Sequence, residues 1–177
     1  MTPPPAGFGR TFSSLRVRNY RIFFIGQSIS LTGTWIQRVA QAWLVLDLTG
    51  SGTAVGLVTA LQFVPLLVLA PFGGVIADRV NKRKMLMVTQ SMAAVSGATL
   101  GMVVLTGVVE LWMVYLLAFA LGVAGSIDNP TRQTFVLDMV GRDRLTNALA
   151  LNSSLINAAR IVGPAIAGGL IITIGIG

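Results

Sequence analysis

Apolar residues gather along this chain in five long blocks, at 22–46, 53–77, 85–107, 111–127 and 145–174, and polar residues fall mainly in the gaps between them. A helix needs about 20 apolar residues to cross a hydrocarbon core of roughly 30 Å. Each block is near or above that length, so the pattern predicts five membrane-spanning helices in an all-α integral membrane fold. Residues 1–21 are too polar and Pro-rich to insert, and the block after them is too long for a cleaved signal sequence, so the first helix is expected to stay in the mature protein. Between the fourth and fifth blocks, Asp128-Asn129-Pro130 reads as a cap followed by a proline at a helix start, and Phe135, Val136, Met139 and Val140 form an amphipathic run. A short helix lying along the membrane surface is expected there.

The basic residues give the blocks an orientation. Arg10, Arg16, Arg18 and Arg21 precede the first block, Arg79, Lys82, Arg83 and Lys84 fill the second gap, and Arg132, Arg142 and Arg144 fill the fourth. The other two gaps carry Asp47 and Glu110 and no basic residue. Cytoplasmic loops retain Lys and Arg, so residues 1–21 are expected in the cytoplasm, with the chain crossing the membrane several times. Asp128 with Arg132, and Asp138 with Arg142, have i,i+4 spacing and read as surface ion pairs worth little.

Composition agrees with a lipid setting, since only 11% of residues are charged where soluble domains carry roughly a quarter. A formal charge of +7 would suit a nucleic-acid binder if it were gathered on one folded face, but here it sits between apolar runs. The lipid bilayer is the expected partner, and no nucleic acid. The chain has no Cys and no His, and no phosphate-binding loop or nucleophile–base pair is visible, so neither an enzyme nor a metal or cofactor is expected.

Two cations remain inside apolar blocks, Arg38 and Arg160. A cation at the centre of a span costs about 2.5–3.5 kcal/mol on insertion scales, so it tends to face water or a partner. Around Arg38, the residues Gln27, Ser30, Thr34, Gln37 and Gln41 recur at steps of three and four, which puts them on one helical face. Ser153, Asn157 and Arg160 repeat the pattern in the fifth block. A wet stripe on an apolar helix reads as the wall of a substrate cavity formed by Gln27, Thr34, Gln37, Arg38, Gln41, Asn157 and Arg160. The bland alternative is that the two arginines snorkel or bond neighbouring helices for stability alone.

The second gap carries a resemblance. Gly74, Ile76, Ala77, Asp78, Arg79, Lys82, Arg83 and Leu86 match, in register, the signature between the second and third helices of the major facilitator superfamily, with Asn81 in place of its second glycine. Asn tolerates the left-handed backbone that such a glycine supplies. Gly163-Pro164-Ala165-Ile166-Ala167-Gly168, followed by Gly169, resembles the antiporter signature of the fifth helix, with Ala159 and Ala167 standing for glycines. The stretches Gly33 to Gln37, Leu48 to Ser51 and Asn129 to Gln133 are similar to bacterial exporters of the branch that includes the enterobactin exporter and macrolide efflux pumps.

The resemblance implies a twelve-helix fold in two halves, alternating access, a small amphipathic substrate such as a drug or siderophore, and a coupling proton. It makes Gly74, Asp78, Arg79, Lys82 and Arg83 a gating loop, in which Asp78 braces the cytoplasmic gate, and Gly163, Pro164, Gly168 and Gly169 a bent, tightly packed element. The fourth block departs from many drug antiporters, which carry an Arg where this chain has only Ala118-Phe119-Ala120-Leu121-Gly122. No carboxylate is expected in mid-membrane either, because Asp47, Asp78, Glu110, Asp128, Asp138 and Asp143 are all placed at or near interfaces. Five spans fall short of one six-helix half, so residues 22–177 are expected to be a truncated N-terminal half whose missing C-terminal partner supplies the far cavity wall. A non-transporting fragment, or a subunit that pairs with other helices through its Gly-rich faces, is the competing expectation.

Overall fold

The computed structural model describes residues 13–174, with side chains for 14–69 and 80–173. A 3-10 turn, Ser13–Arg16, leads into five long helices: α1 (Arg18–Thr49), α2 (Gly52–Arg79), α3 (Lys82–Leu105), α4 (Leu111–Val140) and α5 (Arg142–Ile174). No strand occurs among the described residues. The breaks follow local chemistry. Gly50 takes φ 61° and returns its N–H to the Leu46 carbonyl, ending α1, and the Ser51 side chain then accepts from Ala54 N to open α2. Gly107 at φ 69° and Gly141 at φ 72° turn the chain after α3 and α4.

Asn81 behaves differently from the left-handed residue expected. Its backbone is extended at φ −68°, and its side chain accepts from Lys84 N at 3.1 Å as the N-cap of α3. The cap satisfies a donor that the helix start leaves orphaned, which a glycine there would leave to water.

Windows of α2, α3, α4 and α5 are long and apolar enough to cross a membrane. The 32-residue α1 has the length, but its run is diluted by the polar stripe from Gln27 to Gln41. Large apolar side chains such as Ile29, Leu67, Leu105, Ile161 and Ile172 point outward and are mostly exposed, as a lipid-facing surface requires. The helices run up and down, and α4 is the central one, touching all four others. Some 39% of its spanning window is buried in the bundle against 17% for the windows of α3 and α5.

Among the described residues, two glycines permit the closest crossings. A Cβ on Gly122 would stand 2.6 Å from the Gln62 carbonyl oxygen of α2, and one on Gly163 would stand 2.5 Å from Trp35 Cβ of α1. The α2–α4 and α1–α5 pairs are thus each pinned by one missing side chain. One cluster (Leu44, Val45, Val58, Leu100, Val114 and Ala118) fills the bundle near the Gly50 and Gly107 turns. The other (Tyr20, Val136, Val140, Ala148 and Leu151) closes the end that carries the chain start. There Tyr20 donates to the Ala148 carbonyl at 3.0 Å, and Ser14 bonds Asn147 Oδ1 at 2.8 Å.

The surface helix expected near Asp128 does not form. Helix α4 continues through Pro130 to Val140, so Pro130 is an interior residue and Asp128 is no cap. Pro130 has no N–H to give the Ser126 carbonyl, a loss that spanning helices tolerate when packing holds them in place; around it Thr131 donates to the Ile127 carbonyl at 2.7 Å and Thr134 to that of Thr131 at 3.0 Å. Val136 and Val140, assigned to a membrane surface by their pattern, are buried core.

Candidate functional site

The continuous α4 creates a polar centre inside the bundle. Asp128 and Arg132, one helical turn apart, form an ion pair whose side chains are 8% and 5% exposed, in place of the surface pair expected. Asp128 Oδ1 also accepts from Thr89 Oγ1 at 2.8 Å and from Gln90 Nε2 at 3.0 Å, both on α3. Gln90 Oε1 in turn accepts from Ser30 of α1. Gln27, with its amide oxygen turned to the guanidinium, accepts from Arg132 Nη1 at 2.6 Å and Nη2 at 2.9 Å. Three helices therefore share one charged network, with its carboxylate buried inside the bundle. Its signal was in the spacing: Asp128 and Arg132 continue the row Val114, Ala118, Leu121, Ala124, Val136 and Val140 at steps of three and four, all buried on one face. Treating Pro130 as a helix start hid that row.

The polar stripe of α1 divides. Thr34 and Gln37, with Ser30 and Gln90, line a groove of about 650 Å³ between α1 and α3 whose other walls are apolar, among them Trp43, Leu44, Ala94 and Leu100. Gln37 Nε2 donates to Ser96 Oγ at 3.1 Å. Gln27 belongs to the ionic network, and Gln41 is fully buried, its Oε1 accepting from Gln62 Nε2 at 2.8 Å. Both are interior links between helices.

Arg38 sits on the other edge of α1. Its guanidinium carbon is 4.8 Å from the Trp35 ring centroid and 5.0 Å from that of Phe63 on α2. Arg160 of α5 approaches the same Trp35 ring at 5.3 Å. The sequence placed both arginines inside spans, and the structure brings them to one indole, while Asn157 stands exposed on α5 without a contact to them among the described residues. A cation–π contact contributes about 0.5–2 kcal/mol, less than the cost of a cation at mid-span. Among the described residues neither arginine joins a carboxylate, and there Arg38 Nε is buried with no hydrogen-bond partner.

At the basic end, Lys82 Nζ meets Asp138 Oδ2 at 2.7 Å, joining the α2–α3 hairpin to the end of α4. Asp138 was expected to pair with Arg142, but the helix ends at Val140 and Gly141 turns the chain, so i,i+4 geometry is lost. Arg83 is exposed. The expected roles of Gly74, Asp78 and Arg79 fall on residues 70–79, whose side chains lie outside those described. In the antiporter-like stretch, Gly163 makes the close crossing on α1, and Pro164 lies inside α5. Gly168 and Gly169 meet nothing within 4 Å among the described residues.

The sequence that folds into this bundle matches, over residues 9–176, a family model described as transmembrane secretion effector. The chain belongs to this family of major facilitator exporters. Relatives include the staphyloferrin A transporter of Staphylococcus aureus, 28% identical over 149 residues, which cover 84% of this chain and 38% of that protein. Macrolide efflux protein A of Streptococcus pyogenes is 26% identical over 156 residues, 88% of this chain and 38% of its own length. Multidrug efflux pump Tap of Mycolicibacterium fortuitum is 30% identical over 148 residues, with 81% and 36% covered. The chain thus spans less than two-fifths of the length of these relatives. No solved structure matches it. The family is one of multi-pass membrane transporters, in keeping with the apolar helices.

Proposed function

We propose that this chain is the N-terminal part of a secondary-active exporter that moves a small amphipathic molecule, a drug or siderophore, by alternating access coupled to a proton. The observation that carries the reading is the family match over residues 9–176, together with relatives named for siderophore transport and for macrolide and multidrug efflux. A C-terminal half would supply the facing wall of the cavity and the partner of Asp78; the short coverage of the relatives' length supports this. Arg16, Arg18, Arg21, Lys82, Arg83, Lys84, Arg142 and Arg144 share one end of the up-and-down bundle, which supports a cytoplasmic N-terminus in the bacterial cell membrane. In this reading the hairpin of Gly74, Asp78, Arg79, Lys82 and Arg83 gates the cytoplasmic side, and the Lys82–Asp138 contact fastens it to α4. Gly163 and Pro164 let α5 pivot tightly on α1, and Arg38 and Arg160 face the substrate path.

Efflux of a dye and drug panel from an efflux-deficient bacterium expressing the whole open reading frame tests this. The expected result is uncoupler-sensitive efflux that falls severalfold in Asp78→Asn at matched membrane abundance. Efflux that survives collapse of the proton gradient would refute the coupling, and unchanged cycling in Asp78→Asn would reduce the hairpin to a topological marker.

A further inference from the structure

Building on the exporter reading for its physiological role but not for its binding chemistry, we propose that Arg38 and Arg160 form an anion subsite. It takes the oxyanion group of an amphipathic molecule, with Trp35 and Phe63 as apolar walls for the rest of that molecule.

Two guanidiniums that approach one indole are no more than roughly 10 Å apart, and their like charges oppose each other in a low-dielectric setting. Such an arrangement persists when something negative completes it. Within the described residues nothing does: the two ion pairs engage Arg132 and Lys82, and Arg38 Nε is buried with no partner. Snorkelling does not account for the pair. At 1.5 Å per residue, Arg38 and Arg160 each lie ~16 Å or more from either end of their helices, and the Arg38 guanidinium ends between Trp35, one turn back on α1, and Phe63 of α2.

Geometry selects the ligand class. A guanidinium beside an aromatic ring, which accepts no conventional hydrogen bond, keeps its planar fork of N–H donors for other partners, and that fork suits the paired oxygens of a carboxylate or phosphate. The site is also open, because Arg160 is exposed and α1, α2 and α5 each contribute one wall. The same oxyanion chemistry is offered by a lipid headgroup. Headgroups reside at the interface and these arginines lie well inside their helices, which favours a mobile substrate.

The test is binding, so that a failure of transport and a failure of the subsite are distinguishable. Purified protein in phosphatidylcholine nanodiscs is titrated with tritiated 2-naphthoate by scintillation proximity, with neutral 2-naphthamide as competitor. Naphthoate is expected to bind about tenfold more tightly than the amide or better. Arg38→Gln with Arg160→Gln, at unchanged helical circular dichroism, is expected to bring that ratio to about twofold or less, and Arg38→Lys with Arg160→Lys to retain an anion preference. Equal affinity of wild type for the two probes, or naphthoate preference surviving in the double Gln variant, would overturn the proposal. Nanodiscs containing phosphatidylglycerol separate the sources: unchanged naphthoate affinity supports a substrate site, and strong competition would assign the site to lipid and overturn the substrate assignment.

Discussion

Asp128→Asn removes one charge from a pair that is almost fully enclosed, leaving the Arg132 side chain 5% exposed and without a counter-ion. Breaking a buried pair from one side costs about 3–5 kcal/mol, because the remaining charge keeps its desolvation penalty. The neutral partners do not decide the outcome. Asn still offers an acceptor to Thr89 and Gln90, and hydrogen bonds in a membrane bundle average only about 0.6 kcal/mol each. We therefore expect Asp128→Asn to destabilise by about 3 kcal/mol, a factor of ~10² in the folded to unfolded ratio. Arg132→Met alone leaves a buried carboxylate and is expected to cost a similar amount. The double variant removes both charges and should sit within about 1.5 kcal/mol of wild type, since exchanging a buried pair for neutral groups is often close to neutral. Reversible unfolding in mixed micelles, followed by far-ultraviolet circular dichroism across all four proteins, gives the coupling directly. Additive single effects would refute the reasoning and return the pair to a solvated surface, where it would be worth under about 1 kcal/mol.

Lys82→Ala should change stability by less than about 1 kcal/mol in the same unfolding measurement, because the Lys82 and Asp138 side chains are 24% and 53% exposed; a larger loss would mean that the contact is enclosed. Gly163→Ala should destabilise by roughly 1–3 kcal/mol, because the new methyl would overlap Trp35 Cβ on a packed helix. Gly168→Ala meets nothing within 4 Å and should be neutral or gain up to about 1 kcal/mol from helix propensity; equal melting shifts for the two would remove the distinction. Asn81→Ala should cost about 1 kcal/mol by loss of the α3 cap, whereas Asn81→Gly should cost only a few tenths.

Block length and the placement of Lys and Arg determined, from sequence alone, that the chain is a bundle of long apolar helices with one basic end, because crossing a membrane constrains composition residue by residue. The hairpin and Gly163 stretches were enough to point to the family. Which polar side chains meet was another matter. A period of 3.6 put Gln27, Thr34, Arg38 and Gln41 on one face of α1, but a stripe about 100° wide touches different neighbours on its two edges, and only the packing of α2, α3 and α5 decided which. Asp128 was misread because proline is locally a helix starter, while the bundle packed around α4 holds the helix through Pro130. Asp138 went to Lys82 because a single glycine, Gly141, ended the helix before Arg142 could reach back. The meeting of Arg38 and Arg160 on Trp35 was beyond any local rule. It joins residues far apart in sequence and depends on the close crossing that the absent side chain of Gly163 allows.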